Sequence, residues 1–250
     1  MYKVAIIYTG AAYESEVNNI RLQELLGKIK VIGIGTPDIY AKNMDGYPVT
    51  SIENILNQNW DYLLVAGQEQ NFAEIKKLLV SVGVEEDRIF SIKIFSLPMF
   101  DFEQYVKFIN EKVSIVSNHC WGGFTYHSLK AEFLSPFINM FIPQEDYIRL
   151  LEDFDDYMKE EIKYYKNEYE PNLQSEYPVA LLGDVELHFN HYKSFEEAKE
   201  KWDQRKQRIN RNNLFVEMQT ENEELAKRFN KLPYNKKIVF VPFETQLESA

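Results

Sequence analysis

The first 95 residues alternate between short apolar runs and segments in which apolar residues recur at helical spacing, and this alternation constrains the fold more than any other feature of the chain. The apolar runs, which predict buried strands, are residues 3–9, 30–36, 61–66 and 88–94. The segments that predict helices are residues 14–26, 51–57 and 71–82. Strands that alternate with helices pair in parallel through right-handed crossovers, so the sequence predicts an α/β fold.

A second alternating series begins after Pro98. Its predicted strands are residues 114–117, 137–142, 178–189, 214–218 and 237–241. Its predicted helices are residues 101–110, 124–133, 144–164, 194–209 and 222–232. The tyrosines of residues 147–177 would lie along the solvated edge of the third helix or form a stacking surface for sugars. We therefore predict two Rossmann-like, three-layer domains with mostly parallel sheets, one covering residues 1–97 and the other residues 98–250.

Charge and cysteine content narrow the class of protein. A formal net charge of −11 argues against sequence-independent binding to nucleic acid, which needs a basic surface. The single cysteine excludes an internal disulfide framework and favours a reducing compartment. The apolar start is too short for a secretory signal, and no apolar run approaches the roughly 20 residues that span a bilayer. These features predict a cytoplasmic protein without an integral membrane segment and leave a homo-oligomer open.

The loop after the first predicted strand contains one glycine, Gly10, where the dinucleotide-binding fingerprint has three. A tight turn accounts for this glycine, and so does a phosphate or nucleotide held at the start of the following helix. The absence of the other two glycines of the fingerprint argues against NAD binding.

An Asp-Gly-x-Pro-Val turn and a later Asp-Tyr-x-Leu-x-Ala strand add a resemblance in the first half. The matching positions are Asp45, Gly46, Pro48, Val49, Asp61 and Tyr62. The pattern resembles the small Rossmann-like domain of bacterial sugar-modifying enzymes. The resemblance implies a sugar- or nucleotide-binding type of domain over residues 1–97.

A polar cluster follows the predicted strand at residues 114–117. Its candidate site residues are Asn118, Cys120, Gly122 and Gly123. A helix starting near Gly123 would lower the pKa of the Cys120 thiol, and the glycines would free backbone N–H groups for an oxyanion or a phosphate. A nucleophile, a ligand-lining residue and a buried small side chain are all consistent with Cys120.

A second polar cluster lies on the predicted strand at residues 178–189. Side chains at every second position share a face, which places Asp184, Glu186, His188 and Asn190 together. Two carboxylates and an imidazole suit acid–base catalysis or a divalent metal, and the pattern approaches the Asp-x-Asp element of glycosyltransferases. A solvated edge strand alternates in the same way. His191 follows directly and is a further candidate.

The predicted helix at residues 194–209 supplies two more candidates. Trp202 belongs to its apolar stripe, and Arg205 lies beside that stripe, about 60° around the helix. Arginine suits bidentate contact with a phosphate, and it equally suits a salt bridge within an acidic protein.

Four sequence blocks in the second half carry a further resemblance. They are Ser-Ile-Val-Ser-Asn-x-Cys-x-Gly-Gly from Ser114, Leu-Gly-Asp-Val-Glu-Leu-His-Phe-x-His-Tyr from Leu182, Trp-x-x-Arg-x-x-Arg-Ile-Asn from Trp202 and Asn-Leu-Phe-Val from Asn213. The chain resembles an uncharacterised bacterial family whose members are labelled exopolysaccharide or capsular polysaccharide biosynthesis proteins. The resemblance implies a place in surface-polysaccharide assembly.

Together these observations predict a transferase that uses an activated sugar, such as a nucleotide sugar, or a phosphorylated carrier. Asp184 or Glu186 would serve as base or metal ligand, His188 as acid–base partner, and Arg205 with the glycine amides would receive phosphate. A divalent metal cofactor stays open. One alternative is a hydrolase or acyltransferase that uses Cys120 with His188 or His191. The other is a non-catalytic binding or scaffold protein.

Overall fold

The structure, a computed structural model, describes residues 1–39, 41–171 and 174–249. These residues form two compact units: residues 1–110 with 128–130 make the first, and residues 111–127 with the chain from residue 131 onward make the second. The boundary that the sequence predicts, after residue 97, lies one helix before this division. That helix belongs to the first unit because Phe102, Tyr105 and Val106 are buried in its core.

The first unit is a mostly parallel sheet with helices on both faces. Its strands are β1 Tyr2–Tyr8, β2 Ile29–Thr36, β3 Asn43–Met44, β4 Tyr47–Ser51, β5 Tyr62–Ala66 and β6 Ile89–Ser91. Its helices are α1 Tyr13–Leu25, α2 Ile52–Leu56, α3 Phe72–Ser81 and α4 Phe102–Asn110. The strand order is β3-β4-β2-β1-β5-β6, and every neighbouring pair except β3–β4 is parallel. Val4 and Ile6 of β1 face one core, whereas Ala5 and Ile7 face the other, so the unit has three layers.

The Asp-Gly pair of the first half closes a hairpin rather than leading from a strand to a helix. Asp45 and Gly46 have φ angles of 54° and 95°, and they connect β3 to β4. Pro48 and Val49 therefore lie within a strand, which pairs in parallel with β2. Positive φ angles at both turn positions suit an Asp-Gly pair, which is a hairpin signal in its own right.

The second unit combines a parallel and an antiparallel sheet. Its strands are β7 Ser114–Ser117, β8 Ile162–Glu170, β9 Ser175–Leu182, β10 Val185–His188, β11 Leu214–Gln219 and β12 Lys237–Phe240. Its helices are α5 Trp121–Ser128, α6 Gln144–Glu152, α7 Phe154–Tyr157, α8 Phe195–Lys206 and α9 Glu223–Lys231. The order β12-β11-β7 is parallel, and the order β10-β9-β8 is antiparallel. The prediction of an α/β fold with mostly parallel strands is confirmed.

The predicted strand at residues 178–189 is two strands joined by a tight turn. Leu182 pairs with Val185, so Gly183 and Asp184 form the two-residue loop of the β9–β10 hairpin. Gly183 has a φ of 61°, which glycine adopts without strain. A Gly-Asp pair between two apolar runs is a hairpin signal, and apolar periodicity alone does not detect it.

The predicted helix at residues 144–164 is also wrong in its second half. Helix α6 ends at Glu152, and α7 ends at Tyr157. Tyr164 and Tyr169 then lie on the antiparallel strand β8 and are 53% and 60% exposed. The tyrosines therefore come from a strand at the edge of its sheet, where large aromatic residues are common.

The apolar segment at residues 137–142 is buried without being a regular strand. The N–H of Phe141 donates to the carbonyl of His188, and the N–H of His188 donates back. On its other side, Ile142 N–H donates to the carbonyl of Asn118, 3.0 Å away. This segment therefore bridges the end of β7 and the end of β10.

Candidate functional site

The carboxyl ends of β7 and β11 meet at one edge of the parallel sheet. Asn118, directly after β7, joins the two ends: its Oδ1 accepts from Gln219 N–H at 3.0 Å, and its Nδ2 donates to Gln219 O at 3.2 Å. Asn118 is 5% exposed. This predicted ligand-binding residue therefore holds the edge together, at the place where open α/β sheets bind ligands.

An open pocket of about 720 Å³ lies at this edge. Its lining residues are Asn118, His119, Phe141, Ile142, Pro143, Gln144, Gln219, Thr220, Glu221 and Asn222. Within the lining, Thr220 Oγ1 donates to Gln144 Oε1 at 2.6 Å and accepts from Asn222 N–H at 3.0 Å. Most of the polar lining groups are uncharged amides and hydroxyls, which suit a hydroxyl-rich ligand.

His119 lines the pocket and faces a carboxylate buried behind it. Its Nε2 lies 3.2 Å from Oε1 of Glu217, a residue of β11 that is 0% exposed. The two atoms are not aligned for a hydrogen bond, and neither carboxylate oxygen of Glu217 has a hydrogen-bond partner among residues 1–39, 41–171 and 174–249. His119 Nδ1 accepts the backbone N–H of Trp121 at 3.1 Å, which assigns the ring proton to Nε2.

Of the two predicted glycines, Gly122 packs α5 against the sheet, and Gly123 faces Ile138 and Asn139. The helix begins at Trp121, before both glycines, and Gly122 N–H donates to Ser117 Oγ at 3.2 Å. A Cβ on Gly122 would lie 2.9 Å from Ser117 Oγ and 3.1 Å from Ile115 Cγ2. The N–H of Gly122 is therefore used inside the protein, and close packing explains this glycine.

The environment of Cys120 opposes the predicted reactive thiol. Burial raises its pKa, and the bond from Sγ to the Met140 carbonyl at 3.9 Å opposes this only in part. Within the part of the chain that the structure describes, neither His188 nor His191 forms a hydrogen bond with Cys120.

His188 and Glu186 do lie together, as predicted, on the antiparallel sheet. His188 Nε2 lies 3.2 Å from Glu186 Oε2, and its Nδ1 lies 3.3 Å from Glu168 Oε2 and 3.2 Å from the Tyr177 hydroxyl. His188 is 5% exposed, and burial lowers its pKa although both carboxylates oppose this. Phe141 stacks on the ring, with centroids 4.4 Å apart.

Asp184 and His191 do not join that cluster. Asp184, in the hairpin turn, accepts a 2.6 Å bond from the Tyr157 hydroxyl and lies 3.2 Å from Arg149 Nε. The Tyr157 bond is the main cause of its lowered pKa. His191 is exposed in the turn after β10. The residues described contain no group of three His, Cys, Asp or Glu side chains that could hold a metal ion.

The two polar clusters lie on opposite sides of the segment at residues 141–142. Because that segment bonds to Asn118 on one side and to His188 on the other, they are two strand spacings apart, roughly 10 Å. Phe141 lines the pocket and stacks on His188. The predicted single site is therefore divided. Of its residues, Asn118 lines the pocket, where His119, which the sequence prediction did not include, lies beside it.

Trp202 and Arg205 serve the core of the second unit. Trp202 is 1% exposed and packs edge-on against Phe137, with ring centroids 5.3 Å apart. Arg205 donates to the Tyr192 hydroxyl at 2.8 Å, and its guanidinium lies 4.9 Å from the centre of the Phe133 ring. Neither residue lines the pocket beside Asn118, and these contacts give both side chains a structural role within the second unit.

Sequence reasoning missed His119, Glu217, Gln219 and Thr220. For Gln219 and Thr220 the signal was present, because they are the polar residues that follow the predicted strand at Leu214–Met218; Glu217 is the one charged residue inside that strand. Two predicted parallel strands in one sheet end at the same edge, so these residues and Asn118 should have been considered together.

A protein-family comparison assigns the second half. The model described as "Domain of unknown function (DUF1919)" matches residues 91–250, and the model described as "C2185-like, N-terminal" matches residues 1–90. The chain belongs to the DUF1919 family. This confirms that the chain belongs to an uncharacterised family, and the family description states neither an activity nor a pathway.

An uncharacterised protein of Haemophilus influenzae is a relative of this DUF1919 chain. It is 34% identical over 138 residues, which cover 54% of this chain and 64% of that protein. A crystal structure of a dehydrogenase (MviM) from Clostridium difficile is similar over 74% of this chain and 68% of its own, with a TM-score of 0.28 and 11% identity. No helix among the residues described here is long and apolar enough to cross a membrane.

Proposed function

We propose that the pocket beside His119 binds a small, hydroxyl-rich molecule of the carbohydrate class and that the protein transfers a group to it in surface-polysaccharide assembly. The observation that carries the proposal is the lining, which offers amide and hydroxyl groups around one aromatic wall, Phe141. Several hydrogen-bonding groups beside an aromatic face suit a sugar ring. The resemblance of residues 114–216 to proteins labelled as polysaccharide biosynthesis proteins supports the choice of surface-polysaccharide assembly.

In this proposal His119 transfers the proton. A ligand hydroxyl replaces the Trp121 N–H at Nδ1, the proton moves to that nitrogen, and the oxygen bonds to the transferred group as the leaving group departs with its electron pair. Glu217 then faces a positively charged imidazolium 3.2 Å away. The carboxylate is placed to stabilise that charge, as the acidic residue of a Ser-His-Asp triad does.

A thermal-shift screen against hexoses, hexosamines and nucleotide sugars tests the binding step. A ligand at 100 times its dissociation constant adds about 2.7 kcal/mol to folded-state stability. We expect Gln219→Ala to weaken the stabilisation and Gln204→Ala, an exposed change on α8, to leave it intact. The proposal fails if no sugar stabilises the protein or if Gln219→Ala has no effect.

The chemistry is tested separately with His119→Asn. If His119 transfers the proton, this variant keeps ligand binding and loses transfer by about a hundredfold or more. A protein that only binds the ligand would show no transfer with either form.

A further inference from the structure

The charge of the pocket points to its ligand. Among the residues that the structure describes, the lining includes the exposed Glu221 but neither lysine nor arginine. Behind it lies the carboxylate of Glu217, which solvent does not reach. A phosphate group would therefore enter without a cationic partner in the lining and beside two carboxylates.

Within the described part of the chain, no lysine or arginine pairs with the Glu217 carboxylate. The basic side chain within 4 Å of it there is that of His119, whose Nδ1 already accepts the Trp121 N–H. A ring nitrogen that accepts an N–H carries no proton of its own. In this arrangement the imidazole therefore has a proton at Nε2 alone and is neutral. A buried carboxylate without a hydrogen bond or a neutralising cation is unfavourable, and a ligand cation would remove the imbalance.

Two helix N-termini at the pocket do not offset these carboxylates. Helices α6 and α9 begin at Gln144 and just after Asn222, where helix dipoles favour anions. The side chain of Asn222 already accepts two N–H groups of α9. The first turn of α6 carries its own acids, Glu145 and Asp146, each of which pairs with an arginine.

We propose that the ligand carries a protonated amine, as an amino sugar does, and that the ammonium group lies toward Glu217 and Glu221. Phe141 adds an aromatic face, to which cations are attracted. This inference deepens the proposed function by naming the charge of the bound molecule. It also means that a nucleotide or phosphorylated donor does not place its phosphates in this pocket.

Calorimetry near neutral pH and low salt tests the inference with five probes: glucose, glucosamine, N-acetylglucosamine, glucosamine 6-phosphate and ethanolamine. We expect glucosamine to bind at least tenfold more tightly than glucose or N-acetylglucosamine, and the phosphate to weaken its binding. Glu221→Gln should reduce the preference for the amine several-fold, and added salt should reduce it too. Glu74→Gln, an exposed change on α3 with the same loss of charge, should leave it intact.

The outcomes separate the two proposals. Equal binding of glucose, N-acetylglucosamine and glucosamine overturns the amine inference and leaves the carbohydrate pocket standing, and tighter binding of the 6-phosphate does the same. If ethanolamine binds in a Glu221-dependent manner and no sugar does, the carbohydrate proposal fails and the cation site stands. If no probe binds, both are overturned.

Discussion

The Nε2 atom of His119 lies 3.2 Å from Oε1 of Glu217, and solvent reaches no part of that glutamate. The contact joins the loop after β7 to the next strand of the sheet, β11. A buried carboxylate with neither oxygen hydrogen-bonded is an unfavourable arrangement for stability alone. Functional sites retain such groups at a cost in stability. A substitution that removes the buried charge of this pair should therefore stabilise the fold and impair the function.

Replacing the carboxylate should therefore stabilise the protein. We expect Glu217→Gln, which keeps the shape and removes the charge, to raise the free energy of unfolding by about 1 kcal/mol or more. Urea unfolding near neutral pH measures the change. Glu221→Gln, an exposed change at the same pocket, should stay within about 0.5 kcal/mol of the wild type. A loss of stability in Glu217→Gln would show that the protein already compensates the buried charge.

The adjacent glycines of α5 should respond differently to alanine. Gly122→Ala places a Cβ 2.9 Å from Ser117 Oγ, whose bonds to Gly122 N–H and the His119 carbonyl resist movement, so we expect a loss of about 1 to 3 kcal/mol. In Gly123→Ala the nearest heavy atoms are 3.4 Å away, which is ordinary contact. Alanine also favours the helix by roughly 0.5 to 1 kcal/mol, so this variant should match or exceed the wild type. Equal losses in thermal unfolding would contradict the packing explanation.

Because burial raises the pKa of Cys120, its thiol should react slowly at neutral pH. We expect iodoacetamide to label the native protein far more slowly than the urea-unfolded chain, which serves as its own control. Cys120→Ser should retain ligand binding at the pocket. Fast, stoichiometric labelling of the folded protein would support the alternative function, a cysteine-dependent hydrolase or acyltransferase.

Strand–helix alternation predicted the parallel elements well, because a buried strand and an amphipathic helix differ in period. One error falls where the chain reverses direction within a few residues. Gly183 and Asp184 lie inside an apolar run, and treating that run as one strand placed Asp184 on the face of His188. The turn instead directs it to Tyr157.

The candidate site was predicted only in part for a related reason. Periodicity shows which side chains share one element, and it correctly paired Glu186 with His188. It does not show which elements are neighbours. The contact of His119 with Glu217 joins residues 98 positions apart and depends on the pairing of β7 with β11, which the sequence pattern alone does not give.

The contact of Arg205 with Tyr192 provides a test of whether the arginine has a structural role or a ligand-binding role. We expect Arg205→Ala and Tyr192→Phe each to lower the free energy of unfolding, and the double variant to lose less than the sum. The coupling should be about 0.5 to 3 kcal/mol, as for residues in direct contact. Ligand binding at the pocket should not change in Arg205→Ala. If Arg205→Ala lost much of the ligand binding and little stability, the result would support the predicted ligand-binding role of Arg205.

The buried imidazole of His188 should make stability depend on pH. Because burial lowers its pKa in the folded protein, the unfolded chain, with a histidine pKa of about 6.5, takes up the proton first as the pH falls. The stability that the neutral ring supports is therefore present above about pH 6.5 and is lost as the pH falls toward the lower folded pKa. Thermal unfolding between about pH 7.5 and about pH 5.5 should show a larger decrease for the wild type than for His188→Gln. His191→Gln, at an exposed position close by, should follow the wild type, and a steeper decrease in His188→Gln would mean that Glu168 and Glu186 outweigh burial.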